Sequence, residues 1–138
     1  AYVCWLAMLE SRNNEALVWD VKGPLEFPKT YDVMGHFSRD IKPGYLRFQA
    51  DNNGRVMVSA YKDPKTGEFT LVIINPSNSS CNATLNLSGF DVNGFAGYQT
   101  TDQSAGHWQE SVRAIKKSGK WEVSAPPKSL ITLVSKKK

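Results

Sequence analysis

The sequence predicts a mainly β protein, an antiparallel β-sandwich of seven to eight strands preceded by one β/α unit. Three observations lead to this fold class. Residues 1–9, AYVCWLAML, are almost continuously apolar, which is typical of a strand buried on both faces. Residues 31–41 carry apolar side chains at three- and four-residue spacing, which indicates a helix. From residue 45 onward, short alternating segments are separated by regular turn signals, as in a sandwich or barrel.

The one predicted helix covers residues 30–42. Thr30 is its predicted N-terminal cap, because a threonine hydroxyl accepts a hydrogen bond from a free N–H of the first turn. Pro43 lacks an N–H and disfavours helical backbone at the residue before it, so the helix should end there. Residues 10–28 are predicted to form a long loop with a short strand at 16–19. The predicted apolar face of the helix consists of Tyr31, Met34, Phe37 and Ile41.

The sandwich strands are predicted from alternating or continuously apolar segments between turns. The segment DNNG, residues 51–54, is typical of a hairpin turn. The predicted strands are residues 45–50, 55–61, 69–75, 81–87, 94–101, 121–126 and 129–135.

Composition and charge narrow the possible partners. Hydrophobic residues make up 41% and charged residues 22% of the chain, as in an ordinary globular domain. The net charge of +4 comes partly from lysines near one turn and at the C-terminus, without a basic face interleaved with aromatic residues, so no nucleic acid is expected. No apolar run approaches the ~20 residues of a membrane span. The sequence has neither an initiator Met nor a signal-peptide pattern, so we expect a removed leader or a piece of a longer chain.

No metal site or cofactor is predicted. Cys4 and Cys81 lack the spacing of metal ligands and are expected to be buried free thiols, although a disulfide stays open. His36 and His107 have no acidic or cysteine partner at ligand spacing. We expect His36 at the helix surface or at an interface.

Four segments resemble, in the same order, the C-terminal part of glycoside hydrolase family 30. They are YVCWLA, YDVMGHFSRDIKPGYLRF, FTLVIINPSNSSCNATLNLSGF and PPKSLITLVS, and the most specific element is FSR-x-I-x-PG-x-x-R. The family includes endo-xylanases, β-1,6-glycanases and glucosylceramidases, which join a (β/α)₈ barrel to a β-sandwich side domain. The resemblance implies that residues 1–44 are the terminal β/α unit of such a barrel and that residues 45–138 are the side domain.

The resemblance also implies that the catalytic carboxylates are not in this sequence. Retaining glycosidases need two carboxyl groups about 5–5.5 Å apart, and in this family they come from the fourth and seventh barrel strands. No catalytic residue is therefore predicted, and whether the chain is itself an enzyme stays open. The family builds its sandwich partly from a strand that precedes the barrel, so an open sheet edge is expected.

Substrate contacts are predicted near the end of the first strand. By the resemblance, Trp5 lines a sugar subsite, where an indole stacks on sugar C–H groups; alternatively it fills the barrel core. Arg12 and Asn13, with Asn14, lie on the loop where family members place substrate-selecting groups. Glu10 either contacts sugar, is solvated, or pairs with Arg12. The loop departs from the Arg-Tyr-type loop of glucuronoxylan-specific members, which puts that specificity in doubt.

In the sandwich, Trp108 is the strongest candidate for contact with a glycan. It lies in the polar stretch TTDQSAGHWQE, where nothing demands a buried indole. The alternative is core packing, which is common for aromatic side chains and is the favoured interpretation for Tyr61, Tyr98 and Trp121.

Three acceptor triplets for N-glycosylation occur close together, at Asn78, Asn82 and Asn86. Their alternation along one strand places them on its solvent side. They are used only where the source secretes through a glycosylating pathway, and otherwise they are polar strand residues.

The function expected from the resemblance is the non-catalytic C-terminal portion of a secreted, extracellular polysaccharide-degrading hydrolase, which supports the barrel and holds the glycan. A free-standing carbohydrate-binding module and a structural sandwich that mediates protein contacts are the alternatives. The expected partners are a polysaccharide or oligosaccharide, such as xylan or a β-1,6-glycan, and the missing barrel portion or a second copy of the chain.

Overall fold

The computed structural model describes residues 6–13, 15–51, 54–90, 92–103, 108 and 112–136. Within these residues the chain forms one helix and ten strands, and the mainly β fold class is confirmed. The helix is α1 (Lys29–Ser38). The strands are β1 (Leu6–Leu9), β2 (Ala16–Trp19), β3 (Leu46–Phe48), β4 (Met57–Lys62), β5 (Phe69–Asn75), β6 (Cys81–Leu85), β7 (Gly94–Thr101), β8 (Ile115–Lys117), β9 (Lys120–Ala125) and β10 (Ser129–Lys136).

Two antiparallel sheets form the expected sandwich. The larger sheet has the strand order β3-β4-β5-β10-β7, and the smaller has the order β6-β9-β8. Each predicted strand after residue 45 occurs, and β8 is an addition that the sequence patterns did not predict. It pairs with β9 through a tight turn at Ser118 and Gly119, whose φ angles of 46° and 79° suit a hairpin.

The hydrophobic core lies between the two sheets. Strands β5 and β10 run side by side in the middle of the larger sheet and supply its largest fully buried apolar side chains. The ring of Phe69 lies 4.7 Å from that of Phe90 and, edge to face, 6.0 Å from that of Phe95, in the tilted arrangements that aromatic pairs prefer. The central core residues are Phe69, Leu71, Ile73, Ile131 and Leu133 from the larger sheet, and Leu85, Trp121, Val123 and Ala125 from the smaller.

Asn75 connects the ends of the two sheets. It is fully buried at the end of β5, and its amide nitrogen donates to the carbonyl oxygens of Ser79, Ala125 and Pro126 at 2.9, 3.0 and 2.8 Å. Its amide oxygen accepts from the backbone and hydroxyl of Ser77. Because each of these groups is satisfied, Asn75 stabilises the bend from β5 toward β6 without an unpaired buried polar atom.

Strands β1 and β2 form a separate parallel pair. Leu6 pairs with Ala16 and Leu9 with Trp19. Residues 10–15 connect the strands. This connection is shorter than the usual crossover between parallel strands, which has about a dozen residues or more. Met8 is 50% exposed, so the expectation of a strand buried on both faces is wrong for this part of β1. The reason is that β2 is the only strand beside β1 among the described residues.

Helix α1 is shorter than predicted at its C-terminal end. Pro28 occupies the N-cap position with no side-chain hydrogen bond, so Thr30 is not the cap and lies inside the first turn. The helix ends at Ser38 rather than at residue 42. The hydroxyl of Thr70 donates to the carbonyl oxygen of Asp40 at 3.0 Å, which draws the chain onto β5 before Pro43 is reached.

The face of α1 that packs against the sandwich carries polar groups, while the apolar stripe, which we expect a complete protein to cover, faces elsewhere. Asp32, Gly35 and His36 are buried, and α1 contacts β10 and β7. The predicted stripe is only partly buried, and Val33 is 42% exposed. The helix therefore meets the outer face of the larger sheet through polar groups and leaves apolar surface pointing elsewhere. The side chains of the predicted stripe are Tyr31, Met34, Phe37 and Ile41.

We expect Gly97→Ala on β7 to lower the free energy of unfolding by about 1–3 kcal/mol, because a methyl group there overpacks the core. Its Cβ would overlap the carbonyl oxygen of Val112. Gly94→Ala on the same strand is the matched control, since its Cβ would meet no atom within 4 Å. Urea denaturation monitored by tryptophan fluorescence measures both variants, and equal midpoints would contradict the prediction.

Candidate functional site

Helix α1 is held on the sandwich by a buried histidine. His36 is 1% exposed, and its Nδ1 and Nε2 atoms lie 2.8 Å and 2.9 Å from the hydroxyl oxygens of Thr132 and Thr100. Thr132 also donates its hydroxyl proton to the carbonyl oxygen of His36 at 3.1 Å. Register places both threonines on the same outer face of the larger sheet. His36 thus lies at an interface, one of the two expected locations.

Burial favours the neutral imidazole, and the hydrogen bonds select one of its two tautomers. Because the Thr132 hydroxyl donates to a carbonyl, its oxygen accepts the proton on Nδ1 of His36, and Nε2 accepts from Thr100. Burial lowers the pKa of His36 to about 4, and the nearby Arg39 adds to this while Asp32 opposes it. The ring therefore serves as a neutral connector between helix and sheet at neutral pH.

Trp108, the predicted glycan contact, lies against α1. Its indole N–H donates to the carbonyl oxygen of Asp32 at 3.2 Å. A Cβ on Gly35 would overlap the indole ring, so the ring rests on helix backbone that only glycine leaves open. The backbone of Trp108 has a φ of 44°, a left-handed conformation that is uncommon outside glycine. Trp108 is partly buried, so part of the indole stays accessible.

Four aromatic side chains follow one side of α1, and we call Phe27, Tyr31, Trp108 and Tyr98 the aromatic row. The ring centroids of Phe27 and Tyr31 are 4.9 Å apart, and those of Tyr31 and Trp108 are 5.0 Å apart. The Cζ atom of Arg39 lies 5.5 Å from the Trp108 ring and 4.5 Å from the Tyr98 ring, which links the last two members. Phe27 is 40% exposed and Arg39 is exposed. The row thus presents accessible apolar ring surface with a cation near one end.

The predicted substrate loop between β1 and β2 lies next to the start of the aromatic row. Arg12 donates from Nε to Glu26 at 2.7 Å and also donates from a terminal nitrogen to the same carboxylate. This hydrogen bonding lowers the pKa of Glu26 and raises the pKa of Arg12. Arg12 therefore pairs with Glu26, directly before Phe27, and not with Glu10 as one interpretation had it. Glu10 is exposed.

Asn13 has a structural role in the same loop. Its side-chain oxygen accepts from the backbone N–H of Glu15 at 2.9 Å, and its backbone carbonyl accepts from the indole of Trp19 at 2.9 Å. These bonds shape the loop between the parallel strands. Trp5, Cys4 and His107 lie outside the described residues.

The remaining aromatic candidates lie elsewhere. Trp121 is in the core with its ring 5.3 Å from that of Phe95, while Tyr61 is partly buried on β4. The structure does not bring either side chain to the aromatic row. Cys81 is a free thiol on β6 and is only partly buried.

The three asparagines of the glycosylation triplets, Asn78, Asn82 and Asn86, are exposed, but they do not share one strand. Asn82 lies on the outward side of β6, whereas Asn78 precedes this strand and Asn86 follows it. Whether any of them is modified stays a prediction.

An apolar groove of about 650 Å³ runs beside β6. Its floor is the inner face of the larger sheet near Val58 and Ala60, and its wall is β6 with Ala83 and Leu85. Within the described chain β6 pairs only with β9, so its other edge is unpaired. The expected open edge is therefore present, and the groove lies where the smaller sheet has fewer strands than the larger one.

Other kinds of site find no support in the part of the chain that the structure describes. Its His, Cys, Asp and Glu side chains form no group of three or more that could hold a metal ion. Its helix is neither long enough nor apolar enough to cross a membrane.

Sequence reasoning missed Phe27 and Arg39 as members of the site. Part of the signal was present, because residues 31, 35 and 39 recur at four-residue spacing along one side of the helix, and Phe27 lies four residues before Tyr31. Tyr31 was assigned to the apolar stripe of the helix, and Gly35 was not recognised as the position on which Trp108 rests. No local pattern connects Trp108 to this ridge, since 76 residues separate it from Asp32.

Comparison with known proteins confirms the resemblance that the sequence motifs indicated. The chain is 30% identical to the glucuronoxylanase XynC of Bacillus subtilis (strain 168) over 107 residues, which are 71% of this chain and 25% of that protein. Among solved structures, the family 30 subfamily 8 xylanase Xyn30A of Clostridium acetobutylicum is 25% identical, with a TM-score of 0.74 over 92% of this chain and 32% of that one. The catalytic domain of the family 30 xylanase C of Talaromyces cellulolyticus is 25% identical, with a TM-score of 0.76 over 89% and 28%.

No family model matches the sequence. The chain spans a quarter to a third of the length of these relatives.

Because His36 is buried, the free energy of unfolding should decrease as the pH is lowered. The pKa of His36 is about 4 in the folded chain and about 6.5 when unfolded, so the unfolded state binds the extra proton in that interval. Stability should be complete above about pH 6.5 and should fall by on the order of 2–3 kcal/mol as the pH drops to about 4.

Urea denaturation across this pH range measures the effect. His36→Asn should be less stable at neutral pH, because it loses a hydrogen bond, but should show a flatter dependence. An equally steep loss of stability in His36→Asn would assign the acid sensitivity to other groups.

Proposed function

Because the chain matches the C-terminal part of family 30 glycoside hydrolases in sequence and fold, we propose that it is the non-catalytic C-terminal portion of a polysaccharide-degrading enzyme of this family. Residues 1–44 would be the terminal β/α unit of the barrel, and residues 45–138 the side domain. The parent enzyme would act outside the cell, where plant and microbial polysaccharides are found. Its polymer would be xylan or a β-1,6-glycan, and the relatives named above make xylan the first to test.

The observation that carries this proposal is the uncovered apolar surface of the β/α unit. Met8 on β1, Leu25 before the helix and Val33 on α1 are 50%, 46% and 42% exposed. One β/α unit cannot bury both of its faces alone. A barrel gives β1 neighbouring strands and gives α1 neighbouring helices, so it would cover this surface.

The carboxylates near the top of β1 support a non-catalytic role. Glu10 is exposed, and Glu15 in the same loop accepts a hydrogen bond from the side-chain amide of Asn13. Glu26 is held by Arg12, which lowers its pKa and makes it a poor proton donor. The resemblance places the acid/base and the nucleophile on barrel strands that this sequence does not contain.

The groove beside β6 supports the role of a side domain within a longer chain. An extended segment with alternating apolar side chains would pair with the open edge of β6 and fill the groove at once. The resemblance implies that this segment precedes the barrel. In the parent enzyme it would tie the two ends of the chain together through the sandwich.

Glycan binding is the second part of the proposal, and the aromatic row supports it. Sugar rings have apolar C–H faces that pack on aromatic rings, and the row offers several rings at regular steps next to the loop that carries Arg12 and Asn13. The row also favours the alternative of a carbohydrate-binding module that works without the barrel. Trp5 and Glu10 stay as proposed sugar contacts at the top of β1.

If the β/α unit is an uncovered barrel surface, the isolated chain should bind the dye ANS. We expect Val33→Lys to reduce ANS fluorescence by roughly half, because it places a charge in the middle of the exposed apolar surface. Ile115→Lys is the matched control, since Ile115 is 56% exposed on the separate β8 strand. Light scattering on the same samples detects pairing of two copies. A monodisperse monomer without ANS binding would remove the support for a barrel fragment.

We expect the pure chain to sediment with insoluble xylan and to release no reducing sugar from it. Trp108→Ala and Phe27→Ala should each weaken binding by about tenfold, as loss of a stacked aromatic contact does. Phe27→Ala tests the aromatic row independently, in case Trp108→Ala unfolds the chain locally. Leu25→Ala is the control, because Leu25 is similarly exposed but outside the aromatic row. Release of reducing sugar would overturn the non-catalytic role, and unchanged binding in both variants would overturn the role of the row.

A further inference from the structure

Trp19 lies at the end of β2, level with the end of β1. The two strands are parallel, Leu9 pairs with Trp19, and the N–H of Asp20 donates to the carbonyl oxygen of Leu9 at 2.9 Å. Successive side chains of a strand point to opposite faces, so Trp19 shares a face with Leu17, whereas Ala16 lies on the other face. Ala16 is 1% exposed, and α1 contacts β2. We place α1 over the Ala16 face, which leaves Trp19 on the face away from the helix.

The position of Trp19 is fixed by several hydrogen bonds. Its backbone N–H donates to the carbonyl oxygen of Glu26, and its carbonyl oxygen accepts from the N–H of Glu26, both at 2.9 Å. Its indole N–H donates to the carbonyl oxygen of Asn13 at 2.9 Å. The side chain of Glu26 is in turn bound by Arg12. These contacts hold the edge of the indole and use neither of its ring faces.

The ring faces of Trp19 have no aromatic or cationic partner in the part of the chain that the structure describes. Trp19 is partly buried, so part of the indole is accessible. Trp108 and Trp121, in contrast, each pack against another aromatic ring. Trp19 therefore offers an oriented indole whose faces are not taken up by a second ring.

The end of β2 lies where a barrel binds its substrate. In a (β/α)₈ barrel the helices surround the strands, so the face of a strand away from its helix points toward the barrel axis. Catalytic and substrate-binding groups lie at the C-terminal ends of the strands. In the β/α unit proposed above, Trp19 fulfils both conditions, because it lies away from α1 and level with the end of β1.

We propose that Trp19 is a substrate-binding residue of the parent enzyme and that its indole packs against a neutral sugar unit of the xylan backbone. A sugar ring presents apolar C–H groups to the indole face. The hydrogen bond to Asn13 keeps the ring oriented for this contact. This inference rests on the proposed function and adds a binding residue that the sequence motifs did not indicate.

The test is an NMR titration of the isotope-labelled 138-residue chain with xylohexaose, a neutral oligosaccharide. The chain has four tryptophans, and their indole N–H signals are followed as sugar is added. Trp19→Phe assigns the Trp19 signal by its disappearance. We expect this signal to shift and to reach a plateau, because a sugar stacked on the indole changes the environment of its N–H group.

Variants measure the contribution of the indole through the shifts of the remaining amide signals. Trp19→Ala should weaken binding by about tenfold, as loss of a stacked aromatic contact does. Trp19→Phe should weaken binding by only about threefold, because it retains a smaller ring. Tyr61→Ala is the matched control, since Tyr61 is likewise a partly buried aromatic residue but lies on β4 of the sandwich. It should bind as the unchanged chain does.

The possible outcomes separate this inference from the proposed function. A Trp19 signal that stays in place while other signals shift overturns the role of Trp19 and leaves glycan binding intact. Equal affinities of Trp19→Ala and the unchanged chain overturn it as well. If no signal of the unchanged chain shifts, this inference and the glycan-binding part of the proposed function are both wrong, while the ANS and sugar-release experiments still decide the barrel-fragment part.

Discussion

The hydrogen bonds between His36 and two threonine hydroxyls join the helix to the sandwich, and the candidate site depends on them. They fix α1 across β10 and β7, and this position brings Gly35 under Trp108 and Arg39 over Tyr98. A buried imidazole with both nitrogens satisfied is favourable only while it is neutral. The same contact therefore gives the interface its specificity and its sensitivity to acid.

Because α1 packs on the sandwich through polar side chains, its apolar side chains remain available for a second contact. A helix that buried its apolar stripe against the sandwich would have only a polar face left for other contacts. Here Asp32 and His36 face the sheet, and apolar surface around Val33 remains for another layer. In the proposed enzyme that layer is the rest of the barrel to which α1 belongs.

The sandwich shows the same incompleteness at its opposite side. Five strands face three, and the groove beside β6 exposes apolar residues of the larger sheet such as Val58. An open strand edge next to apolar surface favours pairing with another extended segment. The polar atoms at the interface between α1 and the sheet are hydrogen-bonded, whereas the groove and the outer surface of the β/α unit expose apolar side chains. This exposed apolar surface and the unpaired strand edge support the interpretation of the chain as part of a larger enzyme.

Much of the fold was predictable because its determinants are local. The strands at residues 69–75 and 94–101 were predicted with the bounds that the structure has, since alternation and turn residues act over a few positions. The family resemblance was likewise readable, because its most specific motif, FSR-x-I-x-PG-x-x-R, is a contiguous helix end and turn. Helix bounds were less accurate: α1 ends at Ser38 rather than at residue 42, in part because Pro43 has no N–H to donate to the carbonyl oxygen four residues earlier.

The sequence by itself determined the strands other than β8 and the existence of one helix, since hydrophobic period and backbone preference belong to neighbouring residues. Only the tertiary structure decided which face of that helix is buried, which acid pairs with Arg12, and what lies beneath Trp108. Those outcomes depend on groups far apart in the chain, such as His36 and Thr132, which are 96 residues apart. Hydrogen bonds between distant segments produce no hydrophobic period in either segment. The contacts of the candidate site could therefore be identified only from the tertiary structure.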